Sequence, residues 1–133
     1  MLALFLIIPN DEAVLDSFIE QIKQTPTTIE FDAVMAMINH YYDYQPTGFT
    51  NGLNDNVISN QAATNEGSCK IFAFAHLHQL SQAETLACFG RYYREDVLLH
   101  PQHTDHKNIR QFMLSGSKGI TFEHFPLILK TVI

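Results

Sequence analysis

The sequence predicts a mainly helical α+β fold, a single compact domain over residues 1–133 with about five helices and a small β element. Apolar residues recur at helical spacing along most of the chain. Residues 43–67 instead carry turn-forming residues and the short apolar runs of a strand pair. Apolar residues make up 46% of the 133 and charged residues 17%, which favours one hydrophobic core and excludes a disordered chain.

Residues 1–12 form an apolar amino-terminal extension. Met1 to Ile8 lacks a basic segment and a cleavage site, and it is much shorter than the roughly 20 apolar residues that span a bilayer. We therefore predict no membrane span and expect a strand or docking arm, with a peripheral anchor as the alternative. Asn10 then caps a helix that ends near Thr25-Pro26. Its apolar stripe consists of Val14, Leu15, Phe18, Ile19 and Ile22.

Thr27 and Glu30 have the spacing of a capping box and predict the start of a second helix. Its apolar stripe consists of Phe31, Val34, Met35 and Ile38. The turn chemistry of residues 43–67 then predicts a short strand pair around Phe49 and residues 57–58.

The segment Cys69–Leu80 is apolar on nearly every face, which predicts a buried central helix. Ser81 and Glu84 form a second capping box, which predicts a helix as far as Tyr93 in which Gly90 allows close packing. A last helix carries Ile109, Phe112 and Met113 on one face and ends at Ser115-Gly116, before a short strand over Ile120–Phe122.

Charge and cysteine content exclude several classes of protein. The net charge of −6 disfavours binding to nucleic acid or to an anionic membrane. Cys69 and Cys88 are too few for a disulfide framework, so we expect a reducing compartment, the cytoplasm of the producing cell. No pattern indicates a cofactor, and we predict none.

Cys69 is the first catalytic candidate, because it lies where a polar loop enters the central helix and free backbone N–H groups there lower a thiol pKa. A cysteine enzyme also needs a base, and no spacing singles out one of the seven histidines. The favoured alternative is structural, with Asn65 and Ser68 capping the helix and Cys69 a small core residue.

Four potential metal ligands lie within seven residues: His100, His103, Asp105 and His106. Their spacing matches no established metal motif, so we predict no bound metal and keep His100 and His106 only as weak candidates. Asp105 has an alternative role as the N-cap of the last helix.

Arginines form the third candidate group. Arg91 and Arg94 are three residues apart and share a helix face, where they can grip a phosphate or carboxylate. Tyr92 offers a stacking surface beside them, and Lys107 and Arg110 follow in the sequence. The favoured alternative is a solvated, salt-bridged face, because acidic residues lie close in sequence.

Several runs in the sequence resemble the HopJ type III effector family, over about residues 15–127. They are Asn65 to Ala75, Thr85 to Gly90, Tyr93-Arg94, Asp96 to Leu98, His100-Pro101, Asp105-His106 and Asn108 to Arg110. The resemblance implies a small domain grouped with proteins that bacterial plant pathogens export, with no established activity and no catalytic residue to carry over. It also implies possible secretion into a host cell. Polar residues on these motifs, among them Asn51, Asn65 and Asn108, indicate a shared pocket or a buried network.

The leading hypothesis is a domain that binds a small anionic or polar ligand in a cleft between the start of the central helix and the Arg94–Arg110 segment. The expected anion contacts are Lys70, Arg94 and Arg110, and the residues expected to orient them are Asn65, Glu66 and Asp105. One alternative is a secreted effector that acts by contact with a host protein. The other is a hydrolase that uses Cys69, or His100 with His106.

Overall fold

Five α-helices and five short strands make up the computed structural model, which describes residues 2–130 and the side chains of residues 13–130. The helices are α1 (Leu2–Gln24), α2 (Phe31–Tyr41), α3 (Glu66–Leu77), α4 (Gln82–Ala87) and α5 (Lys107–Ser115). The strands are β1 (Tyr42–Tyr44), β2 (Phe49–Leu53), β3 (Asn56–Asn60), β4 (Ile120–Phe122) and β5 (Leu127–Leu129). The other described elements are two 3₁₀ turns, Pro26–Thr28 and Gly116–Gly119, and a π-helical turn, Tyr92–Val97. The predicted mainly helical α+β fold is confirmed.

The strands form two small antiparallel sheets. One has the order β3-β2-β4, in which Phe49 pairs with Asn60 on one side and with Phe122 on the other. The other joins β1 to β5, with Tyr42 opposite Leu129. The predicted strand pair and the later strand are confirmed, whereas β1, which follows α2 without a break, and β5 were not predicted.

The core is built around α3, and the predicted buried central helix is confirmed. Phe72 of α3 is the centre of an aromatic cluster. Its ring centroid lies 4.9 Å from that of Phe112, 5.7 Å from that of Phe89 and 6.1 Å from that of Phe49. These rings join α3, α5 and β2 into one hydrophobic unit.

Helix α1 begins at Leu2, so the expected strand is wrong for residues 2–8, and so is the expected cap at Asn10. The docking-arm and peripheral-anchor interpretations depend on side chains that lie outside the described ones. Leucine and alanine, which favour helix, make up four of residues 2–6. Met1 lies outside the described residues. Among those that are described, no helix combines the length and hydropathy needed to cross a membrane.

One of the two predicted capping boxes is confirmed. Ser81 Oγ accepts a hydrogen bond from the Glu84 backbone N–H, and the Glu84 carboxylate accepts one from the Ser81 backbone N–H. The box at Thr27 and Glu30 is wrong: Thr27 lies inside a 3₁₀ turn, and Glu30 precedes α2 without a side-chain capping bond. Pro26 favours the first position of a separate short turn, which explains the difference.

Gly90 ends the helix that the sequence predicts to continue to Tyr93. Helix α4 stops at Ala87, and Gly90 has a φ of +59°, a conformation that a residue with a Cβ rarely adopts. A Cβ at Gly90 would lie 2.7 Å from the backbone nitrogen of Phe31. The chain then enters the π-helical turn, which reaches the cavity described next.

Candidate ligand-binding cavity

A cavity of about 560 Å³ opens between the amino-terminal ends of α3 and α5, with β3 and the π-helical turn on its other sides. Its volume lies within the range of roughly 300–1,000 Å³ that is typical of small-molecule sites. Its polar lining residues are Ser59, Asn60, Asn65, Ser68, Tyr92, Thr104, Asp105, His106, Lys107 and Asn108.

Four asparagines form a hydrogen-bonded network beside this cavity, and three of them line it. Asn108 Nδ2 donates to Asn60 Oδ1 at 2.9 Å, and Asn65 Nδ2 donates to the same oxygen at 2.7 Å. Asn51 Nδ2 donates to both the backbone and the side-chain oxygens of Asn108. The network expected from Asn51, Asn65 and Asn108 is present, and it fixes the starts of α3 and α5 against the sheet.

Both helices that reach the cavity start from a left-handed residue. Asn65, before α3, has a φ of 50°, and His106, before α5, has a φ of 51°. Neither residue caps its helix with its side chain. The expected caps of α3 are absent, because Asn65 makes no such bond and Ser68 lies inside the first turn of the helix. Backbone N–H groups in a first helical turn carry partial positive charge and favour anions. The cavity therefore lies at two electropositive helix ends.

An aromatic wall faces these helix ends. Phe31 and Tyr92 pack edge to face with ring centroids 5.2 Å apart, and both line the cavity. The His106 ring lies 5.3 Å from that of Tyr92. Gly67 leaves room for Phe31, because a Cβ there would lie 2.8 Å from Phe31 Cζ. This wall provides an apolar surface against which a ligand can pack.

Charged groups at the rim are paired with one another. Arg110 Nη2 donates to Asp105 Oδ1 at 2.7 Å, and this hydrogen bond holds the pKa of Asp105 below its usual value of 3.8. His106 Nε2 lies 3.0 Å from Asp96 Oδ2. The alternative role of Asp105 as the N-cap of α5 is wrong, because His106 occupies that position and Asp105 binds Arg110 instead.

Comparison with known proteins gives the family. The sequence profile described as "HopJ type III effector protein" matches residues 15–127. The chain belongs to the HopJ family. A solved structure described as the crystal structure of the unknown function protein VPA0580 is 51% identical, with a TM-score of 0.82 over 87% of this chain and 93% of that chain. No curated protein matches the chain. These comparisons establish the family and carry no specific activity.

The cavity of this HopJ domain contains some of the predicted site residues and not others. Asn65, Asp105 and His106 line it. Four predicted ligand contacts are not among its lining residues: Glu66, Lys70, Arg94 and Arg110. Cys69 and His100 do not line it either.

Lys70 is bound on another face of α3. Its ammonium group donates to Asn39 Oδ1 at 3.0 Å and lies 4.6 Å from the centre of the Tyr44 ring. These contacts join α3 to α2 and β1. The ammonium group of Lys70 therefore interacts with an amide oxygen and an aromatic face of the protein.

Arg94 and Arg110 bind backbone and carboxylate oxygens of the HopJ domain itself. Arg94 donates to the backbone oxygens of Pro26 and Ile29, the latter at 2.8 Å, and lies 3.7 Å from the Glu30 carboxylate. Arg110 Nε donates to the Asp105 backbone oxygen at 2.6 Å. Both arginines therefore form ion pairs, as the alternative predicted. The partner of Arg94 is Glu30, which is distant in sequence, and not one of the acidic residues that are close in sequence.

Cys69 is fully buried, as its structural alternative predicted. Burial raises the pKa of the Cys69 thiol above its usual value of 9.0, an effect that Tyr44 opposes in part. Burial also raises the pKa of Cys88, to about 12. A thiol with a raised pKa is protonated at neutral pH and is a poor nucleophile.

The histidines near the last helix form no metal centre. His100 stacks on His103 with ring centroids 4.6 Å apart, away from the cavity lining. No group of three or more His, Cys, Asp or Glu side chains within the described part of the chain is arranged to hold a metal ion.

Lys107, Ser68 and Asn60 line the cavity, although the sequence hypothesis did not include them among the contacts. Lys107 is the first residue of α5, and Ser68 lies in the first turn of α3. Their position directly after a helix start is a signal that sequence analysis can use. Asn60 lies at the end of a strand, and its role depends on partners that are distant in sequence.

Proposed function

We propose that this HopJ domain binds a small molecule carrying a phosphate or carboxylate group in the cavity between α3 and α5. One observation carries the proposal: two helices, each without a side-chain cap, begin at the same cavity beside the exposed side chain of Lys107. Two helix ends and an ammonium group favour an anion.

The surrounding residues support recognition of the remainder of the ligand. The amide of Asn65 and the hydroxyl of Ser68 can hydrogen-bond polar substituents, and the aromatic wall of Phe31 and Tyr92 can pack against a flat or apolar part. Asn65 and Asp105 remain in the proposed site as cavity-lining residues. Lys107 takes the cationic role first assigned to Lys70, Arg94 and Arg110.

The pairing of the rim charges supports the same conclusion. With Asp105 bound to Arg110, part of the negative charge at the rim is balanced. Lys107 makes no ion pair within the described residues, so its ammonium group is available to a ligand. A local positive field of this kind is needed because the whole chain has a net charge of −6.

Isothermal titration calorimetry tests the proposal with pyrophosphate and a panel of phosphorylated and carboxylated metabolites as probes. We expect saturable binding of at least one probe to the wild type and a loss of about tenfold or more in Lys107→Ala. Lys118→Ala is the matched control, since Lys118 is exposed and lies outside the cavity lining. The absence of any binding, or equal affinity in Lys107→Ala, would overturn the proposal.

The family description favours a second function, in which the protein leaves the cytoplasm of the producing bacterium by type III secretion and contacts a host protein. A reporter enzyme fused after residue 133 tests this in a type III-competent strain. Release of the reporter that depends on the secretion apparatus would support it. Retention in the cytoplasm under conditions in which a known effector is released would contradict it.

A further inference from the structure

A second cavity, of about 330 Å³, lies between the carboxy-terminal half of α3, α5 and β4. It shares no lining residue with the cavity described above. Four phenylalanine rings line it: Phe72 of α3, Phe112 of α5, Phe122 of β4 and Phe125 of the loop after β4. We call it the phenylalanine pocket.

Burial changes from the floor of the phenylalanine pocket to its mouth. Phe112 is 2% exposed and Thr85 is 1% exposed, so both belong to the floor. His76, Gln79 and Ser117 also line the pocket, and all three are exposed to solvent. The pocket is therefore a blind, apolar depression with a polar entrance.

The floor contains no polar group that requires water. The hydroxyl of Thr85 donates to the Ser81 backbone oxygen at 2.8 Å. The two buried side-chain atoms without a partner in the described residues, Tyr44 Oη and Asn51 Oδ1, belong to residues outside the pocket lining. An apolar floor without unpaired polar groups favours the apolar part of a ligand.

The ring geometry indicates which molecules fit. Phe72 and Phe112 are stacked on each other, with centroids 4.9 Å apart and an interplanar angle of 23°, and form the buried end of the pocket. Phe122 and Phe125 meet at 81° on the same pocket. Aromatic rings prefer offset-stacked and edge-to-face neighbours, so a flat ring that lies against one ring of the perpendicular pair Phe122 and Phe125 meets the other edge to face.

We propose that the phenylalanine pocket binds a small planar aromatic molecule with one polar substituent. The ring lies among the four phenylalanines, and the substituent reaches the entrance formed by His76, Gln79 and Ser117. This site is independent of the anion site proposed above, because the two cavities share no residue.

Indole is a suitable probe, because it is planar and has a single N–H donor. The experiment is a titration of indole into ¹⁵N-labelled full-length protein, followed by backbone amide chemical shifts. We expect saturable shifts confined to residues 75–80 and 117–122, with half-saturation below about 1 mM. Shifts that do not saturate, or that map only to residues around the other cavity, would overturn the proposal.

Ser117→Phe tests the location of the site, because it adds a ring at the exposed entrance of the pocket. Lys118→Phe is the matched control, since it adds the same ring one residue away and outside the pocket lining. We expect Ser117→Phe to weaken indole binding at least tenfold and Lys118→Phe to leave it unchanged. Unchanged binding in Ser117→Phe, or equal losses in both variants, would contradict the assignment. If Ser117→Phe does not fold, Ala75→Leu narrows the pocket from α3 and is judged by the same result.

Discussion

Asn60 and Asn108 hold each other through two reciprocal hydrogen bonds, although they lie 48 residues apart. Asn108 Nδ2 donates to Asn60 Oδ1 at 2.9 Å, and Asn60 Nδ2 donates to Asn108 Oδ1 at 3.2 Å. Both side chains are 6% exposed. The pair joins the end of β3 to the first turn of α5. These two hydrogen bonds therefore hold two sides of the cavity in their relative positions.

Asn108→Ala tests this pairing. The substitution removes the side-chain hydrogen bonds of Asn108 with Asn51 and Asn60, while Asn51 keeps the backbone oxygen of residue 108 and Asn60 keeps Asn65. Buried polar groups that lose partners in this way cost about 1–3 kcal/mol. We expect the free energy of unfolding, measured by urea denaturation, to fall by about that amount. Asn56→Ala is the control, an exposed asparagine whose loss changes stability by less than about 0.5 kcal/mol. Equal stability of the two variants would contradict a structural role for the network.

Gly90→Ala is expected to destabilise the domain. A side chain at a φ of +59° costs about 1–2 kcal/mol, and the new Cβ would also press on the Phe31 backbone nitrogen at 2.7 Å. Gly48→Ala provides a comparison, because its new Cβ meets only the flexible end of the Glu123 side chain. Urea denaturation should show the larger loss for Gly90→Ala. A larger loss of stability in Gly48→Ala would show that the close approach of Gly90 to Phe31 does not determine the stability of the domain.

Local signals in the sequence predict the structure correctly. The capping box of Ser81 and Glu84 and the apolar segment of α3 needed only neighbours a few residues away, and both predictions were confirmed. Gly90 was correctly identified as a point of close packing. Its effect on the helix was missed, because the contact comes from Phe31 and depends on the tertiary fold.

The residues that line the cavity follow from the sequence in part, for the same reason. Asn65 and Asp105 lie next to helix starts, and a helix start has the same chemistry wherever it lies. The long cations were assigned by charge alone, although their direction depends on distant acceptors. Arg94 reaches the Ile29 carbonyl 65 residues away, and Lys70 reaches Asn39 across 31 residues.

Arg94→Ala separates a structural role from ligand binding. Arg94 joins the π-helical turn to the backbone before α2 by hydrogen bonds to Pro26 and Ile29. Hydrogen bonds from charged groups are worth about 1.5–3 kcal/mol, so we expect a loss of stability in this range. Affinity for an anionic probe in the cavity between α3 and α5 should be unchanged. A folded Arg94→Ala protein of normal stability that no longer binds the probe would restore Arg94 as an anion contact.

Both thiols are expected to be inert in the native protein. Cys69 and Cys88 are free and fully buried, and burial raises the pKa of each thiol. A thiol-reactive reagent such as dithionitrobenzoate should modify neither cysteine at pH 8 without denaturant and both in guanidinium chloride. Rapid modification of Cys69 in the native protein would revive the cysteine-hydrolase hypothesis, and Cys69→Ser identifies which thiol reacts.

His78 is expected to make stability depend on pH. Burial lowers the pKa of His78 below its usual value of 6.5, and the Tyr42 hydroxyl lies 2.6 Å from its Nε2. Between the lowered pKa and 6.5 the unfolded chain binds more protons than the folded chain, so the free energy of unfolding falls as the pH falls through this window. One such group contributes a slope of at most about 1.4 kcal/mol per pH unit. Urea denaturation at several pH values from 7.5 to 5 should show this decrease in the wild type and a shallower one in His78→Gln, whose amide keeps a partner for Tyr42. Equal slopes in the two proteins would show that His78 does not control the acid sensitivity of the fold.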